Sequence, residues 1–320
     1  MSHLTREQRY TIASMLQNGY NQKEIALVIN KDKSVVSREI RRNADARSGV
    51  YRDDLAHRKY LKRQEYKAKT RTFTPEVEEY VRDKLRLKHS PEQIAGVAKK
   101  NGDKCVSHER IYQFIWQDKR KKGTLYLDLR NRGRRYKKRS VIYDKRGTIP
   151  NRTDISQRPP EVELRERFGD LEIDLIIGKN HKGAILTIND RATGFGKLRK
   201  LDGKDAQQLA TATIDCLMEW KPFLKTITSD NGKEFAAHEL VAKHLNIDFF
   251  FAKPYASWQR GSNENYNRLV RQYIPKKVDF DCIPTDYINF VEYQLNNRPR
   301  KRFKYESPMF MFNQKVAFST

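Results

Sequence analysis

Residues 169–178, Gly-Asp-Leu-Glu-Ile-Asp-Leu-Ile-Ile-Gly, set acids inside an apolar run. With the two-residue period of a strand, Glu172 and Asp174 lie on one face. A carboxylate in such a run is costly to desolvate unless positive charge offsets it, and a metal ion supplies that charge. Asp174 is expected to be the deeper of the two, with Glu172 as its support or as an edge-strand acid.

Working outward, the apolar runs AILTIND (184–190) and GKLRKL (196–201) complete a three-strand meander with it. A helix is expected over 204–220, where Ala206, Leu209, Ala210, Thr213, Leu217 and Trp220 recur at helical spacing. A fourth strand, LKTIT (224–228), runs into Asp230 and the Asn231-Gly232 turn. A helix near 235–245, a short strand IDFFF (247–251) and the loop AKPYASWQRGS (252–262) follow. Ser262 is expected to cap a helix reaching about Tyr273, and 285–296 to form a last long helix. The second half thus reads as α/β, a mixed five-stranded sheet with helices.

Asp230, at a strand end, can meet Asp174, while Asn231-Gly232 turns the backbone away. Two-metal phosphoryl chemistry needs several hard oxygen ligands around ions about 4 Å apart. Glu264, in the first turn of a helix whose dipole favours a carboxylate, supplies a third. Taken singly, each acid is as well explained by a cap or a surface position. Arg268 and Arg271 follow Glu264 by four and seven residues, on its face, where they can hold a phosphate or form a solvated cationic stripe. Trp258 can stack on an unpaired base or anchor its loop. Asn263 and Asn265 can orient Glu264 or a water. His238 and His244 have no metal spacing with the acids.

The first half is helical. In residues 21–42, Asn21 with Glu24 and then Asp32 cap two short helices around a tight turn. Val36 and Ile40 point inward, leaving Ser34, Ser37, Arg38 and Arg41, with Arg42 beside them, on a hydroxyl- and guanidinium-bearing face. This is a helix-turn-helix pattern with 33–42 as recognition helix; the plainer reading is a helical hairpin. Ser90-Pro91-Glu92-Gln93 starts a further helical unit with a capping box, and Ser107 opens a helix whose His108, Arg110 and Gln113 face out. This second unit is a helix-turn-helix or a three-helix spacer. Residues 130–139, RNRGRRYKKR, carry seven cations and no acid, among them Arg132, Arg134, Arg135, Lys137, Lys138 and Arg139. They enter a Gly- and Pro-containing stretch able to follow a phosphate backbone. The resulting organisation is 1–45 first helix-turn-helix, 46–72 basic linker or helix, 73–129 second helical domain, 130–160 basic extended linker and 161–320 catalytic domain.

Charge agrees with this division. Of the net +25, residues 1–160 carry +21, with 40 Lys and Arg against 19 Asp and Glu. Such a field attracts a polyanion, nucleic acid first. No apolar run approaches the ~20 residues needed to span a bilayer, and MSHLTREQRY has no apolar signal core, so a cytoplasmic protein without membrane partners is expected. Cys105, Cys216 and Cys282 form no Cys-x-x-Cys and read as reduced, packed residues.

The segments GDLEIDLIIG, TSDNGKEF, PYASWQRGSNENYNRLVRQYIPK and LNNRPRK, with LTREQRYTIASMLQNGYNQKEIALVIN and VVSREIRRN, resemble the transposases of the insertion sequence thirty family. These are DDE enzymes with a ribonuclease-H-like core. Leu171 and Ile173 stand where that family usually has Trp and Gly. The resemblance covers most of the chain, and its implied catalytic and metal-binding acids fall on Asp174, Asp230 and Glu264, 56 and 34 residues apart. It implies two Mg²⁺ ions, with Mn²⁺ able to substitute, double-stranded DNA partners (element ends and target), and a homodimer or larger assembly on DNA. An integrase with a His₂Cys₂ zinc module is excluded, since Cys105 is the only cysteine before Cys216. A non-catalytic DNA-binding regulator with a relic core stays open.

Overall fold

The computed structural model describes residues 3–66, 73–132, 149–254, 256–276 and 278–317. They fall into two compact units, Met1–Arg71 and Thr72–Thr320.

In the first unit, α1 (Arg6–Gln17), α2 (Gln22–Val28), α3 (Lys33–Asn43) and α4 (Asp53–Tyr66) close over Ile12, Ile25, Val36 and Ala56, all fully buried. The capping box of Asn21 with Glu24 and the Asp32 cap form as the sequence predicts. Of the two readings of the charged segment after α3, linker or helix, residues 53–66 take the helix. This helix, α4, packs on α1 and is tied to the end of α3, where Lys59 Nζ donates to Ala44 O at 2.7 Å and Arg63 Nη2 to Asn43 Oδ1 at 2.6 Å.

The second unit opens with α5 (Pro75–Arg86), α6 (Pro91–Asn101) and α7 (His108–Arg120) around Val81, Leu85, Ile111 and Ile115. The Ser90 capping box and the Ser107 cap are both made. Then come β1 (Thr153–Asp154), α8 (Glu161–Leu164), β2 (Asp170–Ile177), β3 (Ala184–Asp190), β4 (Gly196–Leu201), α9 (Ala206–Leu217) and β5 (Thr226–Ser229). The chain ends through α10 (His238–Leu245), β6 (Asp248–Phe251), α11 (Gly261–Tyr273), α12 (Thr285–Asn297) and α13 (Pro308–Ala317).

The sheet runs β1-β6-β5-β2-β3-β4. β2, β3 and β4 form the antiparallel meander, and β5, β6 and β1 extend it in parallel from β2. The two-residue β1 adds a sixth strand from a stretch expected to be linker. Alternation along β2 divides the core. Leu171, Ile173 and Leu175 face the cluster built with α9, α10 and α13, whereas Ile176 faces the one built with α11 and α12. Glu172 and Asp174 therefore belong to the α11 face.

The α5–α7 bundle packs on this core through polar contacts. Gln272 Nε2 of α11 donates to Asp128 O at 2.6 Å, Gln93 Nε2 to Pro299 O at 2.5 Å, and Arg298 Nε to Gln93 Oε1 at 3.0 Å. Lys100 pairs with Glu306, and Gly96 lies so close to the Tyr305 ring that a Cβ there would overlap it. Among the described residues no helix is long and apolar enough to cross a membrane. All three cysteines are free; contrary to the packed reading, Cys282 is exposed, while Cys216 is buried.

Candidate active site

β2 and β5 pair in parallel with Glu172 opposite Thr228. Two residues further along each strand direction stand Asp174 and Asp230, which the shared direction brings side by side. Their carboxylates flank one guanidinium: Arg260 Nη1 lies 3.5 Å from Asp174 Oδ2 and Nη2 lies 3.4 Å from Asp230 Oδ2. Asp174 also accepts from Leu175 N at 2.8 Å and from Asn267 Nδ2 at 2.9 Å. Asp230 Oδ1 accepts from Gly232 N at 2.9 Å, so the Asn-Gly turn fixes this carboxylate as it carries the chain away. Burial pushes the Asp174 carboxyl up to about 6; Arg260 opposes the shift and Asp230 adds to it.

Glu264 is exposed and makes no hydrogen bond or ion pair among the described residues. It lies on the stripe of α11 bearing Asn267 and Arg271, in line with Arg260 one turn earlier. Arg260 and Asn267 reach Asp174, and Arg271 Nη2 donates to Ile177 O at 2.9 Å. Among the described residues no three His, Cys, Asp or Glu side chains stand close enough to hold a metal ion. The fold thus gathers Asp174 and Asp230 around one positive charge and leaves Glu264 exposed on the flanking helix α11, not grouped with them. Two hard carboxylates already sharing a cation are a donor set that fits a divalent ion.

Beneath the aspartates runs an ionic network in which Glu172, Arg191 and Arg158 are buried and Glu163 is exposed. Glu172, fully buried, pairs with Arg191, itself 1% exposed, and its Oε2 accepts from Asn263 N at 2.7 Å. Arg191 Nη2 continues to Glu163 Oε2 at 2.9 Å, Glu163 pairs with Arg158, and Arg158 Nη1 donates to Thr228 Oγ1 at 2.9 Å. The network touches each acid-bearing element within two residues of its acid: Glu172 before Asp174, Thr228 before Asp230 and Asn263 before Glu264. Here the structure corrects two expectations. Glu172 is the deeper acid, with Asp174 keeping 23% side-chain exposure. Ser262 is not the cap of α11, since the helix begins at Gly261 and Glu172 takes the Asn263 N–H instead.

Asn263 and Asn265 do not orient Glu264: Asn263 Oδ1 accepts from Thr187 Oγ1 at 3.3 Å, and Asn265 Oδ1 from Arg130 Nη2 at 2.9 Å. Arg260, Asn267, Arg191 and Arg158 were not singled out from the sequence. A Glu at strand spacing before Asp174 was the one signal pointing to the network, because a buried acid demands a buried cation.

Of the residues expected on DNA, Ser34, Ser37, Arg38, Arg41 and Arg42 are all exposed on α3, with Arg38 Nη2 3.1 Å from Ser34 Oγ. Trp258 is 76% exposed. His108 and Arg268 are exposed, whereas Arg110 lies over the Phe73 ring. Arg132 Nη2 donates to Gln272 O at 3.3 Å and Arg271 to β2, so both are engaged within the fold. Arg134, Arg135, Lys137, Lys138 and Arg139 lie outside the described residues. His238 is buried against Phe249 and Phe251, and His244 is exposed, so neither joins the acids.

A family model described as a helix-turn-helix domain matches residues 1–43. The chain is 53% identical over 323 residues to the transposase for insertion sequence element IS4351 of Bacteroides fragilis, covering 99% of each chain. It is 31% identical over 332 residues to the transposase InsI for insertion sequence element IS30C of Escherichia coli K12, covering 100% of this chain and 85% of the relative. The chain belongs to the IS30 family of transposases. A further relative, the transposase for IS1086 of Cupriavidus metallidurans, is 32% identical over 98% of this IS30-family chain and 95% of its own length. Among solved structures, the catalytic core domain of BIV integrase matches at TM-score 0.39 and 17% identity, covering 47% of this chain and 97% of that one.

Proposed function

We propose that this IS30-family transposase binds the terminal inverted repeats of its element through α3 and cuts and joins DNA strands at Asp174, Asp230 and Glu264. The observation that carries the reading is the meeting of Asp174 and Asp230 around a single cation, beside the helix stripe bearing Glu264. These three carboxylates would hold two Mg²⁺ ions, or Mn²⁺ in their place. Such ions supply polarisation of a phosphoryl oxygen and neutralise charge on the attacking and leaving oxygens. The chain's own part is to keep two carboxylates ionised and aligned: Gly232 N–H fixes Asp230, while Leu175 N–H and Asn267 fix Asp174. The reaction is hydrolysis at the element end, freeing a 3′ hydroxyl that attacks target DNA, with no covalent bond to the protein. Joining two ends calls for at least two copies on DNA.

Asp230→Asn tests this directly. It keeps the turn and removes the charge, so labelled element-end DNA should still be bound while nicking with Mg²⁺ falls by roughly a thousandfold or more, in line with loss of a charge that stabilises a transition state. Wild-type protein that binds ends but never nicks them with Mg²⁺ or Mn²⁺ would instead be a DNA-binding regulator.

A further inference from the structure

Between the α5–α7 bundle, the start of α11 and the segment after α12 lies a cavity of about 290 Å³ whose lining includes Arg130, Arg298, Arg300, Arg302, Ser262 and Tyr266. Its one acid, Glu92, is paired at the rim with Lys301 at 2.5 Å. Among the described residues no carboxylate lies within ion-pair distance of the four arginines, whereas the buried Arg9 and Arg158 each have one and Arg191 has two. Arg298, 3% exposed, leans on neutral oxygens: Gln93 Oε1 at 3.0 Å, Gln272 Oε1 at 2.8 Å and the Tyr273 hydroxyl.

The hydroxyls of Ser262 and Tyr266, residues 8% and 2% exposed, and Arg130 Nε are buried without a hydrogen-bond partner among the described residues. All three are donors, and buried donors require acceptors. A ligand made only of acceptor oxygens and carrying negative charge satisfies hydroxyls and guanidiniums together. Asn265, which also lines the cavity and accepts from Arg130, is the residue next to Glu264 on α11, whereas Ser262 and Tyr266, each two residues from that acid, lie on the opposite face of the helix.

We propose that this cavity binds a backbone phosphate of the DNA strand engaged at Asp174 and Asp230, so that docking of the α5–α7 bundle completes a phosphate site through Arg130. The proposal rests on the transposase reading for the identity of the anion. Burial first, reinforced by neighbouring guanidiniums, lowers Arg298 to about 10 and Arg300 to about 9, a cost that a bound phosphate relieves.

The test uses the full chain and element-end DNA. Tyr266→Phe deletes an unpartnered hydroxyl, so the free protein should melt no lower than wild type while end binding weakens several-fold. Arg300→Gln should weaken it about tenfold and lower the slope of log affinity against log salt by about one. DNA with single phosphates replaced by neutral methylphosphonates supplies the second arm. At one position the replacement should reproduce the Arg300→Gln loss and add nothing to it. Additive losses at every position overturn the proposal, as do both variants binding like wild type. Inorganic phosphate that raises the melting temperature of wild type but not of Tyr266→Phe, with no coupled methylphosphonate position, marks a free-anion site and overturns the DNA assignment. Wild-type nicking is read in the same gels, so loss of this proposal is distinguished from loss of the enzyme reading.

Discussion

Arg260 places a guanidinium 3.5 Å from Asp174 and 3.4 Å from Asp230, the position from which a divalent ion would have to displace it. At these distances its charge both holds the carboxylates together and repels an incoming cation. Asp174, its carboxyl raised to about 6 mainly by burial, would rise further without Arg260, so a proton would then compete with metal near neutral pH. At pH 8 that competition fades and the lost repulsion dominates. Arg260→Gln should therefore bind Mn²⁺ about tenfold more tightly than wild type in the absence of DNA, since unit charges this close in a partly solvated site interact by a few kcal/mol. Titration followed by Mn²⁺ electron paramagnetic resonance checks it. Unchanged or weaker binding would mean that Arg260 orders the carboxylates more than it competes with metal.

At the scale of elements, Glu172 joins β2 to the first turn of α11 by accepting the Asn263 N–H, and Arg191 keeps its charge compensated. Glu172→Gln leaves one acceptor oxygen for two donors and strands part of a buried guanidinium. It should destabilise the protein by roughly 3 kcal/mol, the scale seen when one partner of a buried ion pair is removed. Hydrogen exchange of a peptide spanning 261–266 should speed up more than that of α9; equal change in both would deny the capping role. The same segment marks what the sequence made legible. The meander, the strand leading to Asp230 and the Asn21, Asp32, Ser90 and Ser107 caps follow from period and local chemistry, and each is observed. Ser262 was misread because its local cap signal competes with a carboxylate 90 residues earlier in the chain, and a tertiary contact of that kind leaves no spacing to detect. For the same reason Arg260 and Asn267 carried no signal as partners of Asp174.

At the scale of the molecule, the α5–α7 bundle and the α/β core fall in one compact unit. Local periodicity predicts its helices and says nothing of the polar contacts that dock it. His89, in the turn between α5 and α6, sits among the cations of that junction. Burial first, then Arg298, Lys84 and Arg300, holds its imidazole down to about 4 from an ordinary 6.5. Folded His89 thus stays neutral down to about pH 4, whereas the unfolded chain takes up a proton below about 6.5. Between these values unfolding binds a proton, so stability is lost as pH falls, by at most about 1.4 kcal/mol per pH unit from this group. His89→Gln cannot take up that proton. Thermal midpoints measured from pH 7.5 to 4.5 should fall less steeply for the variant than for wild type, with the difference opening below pH 6.5. Hydrogen exchange of 91–101 and 298–306 should accelerate over the same window in wild type, because those segments meet at the junction. Parallel pH profiles for the two proteins would assign the acid sensitivity to carboxylates elsewhere and leave the docking of the bundle independent of His89.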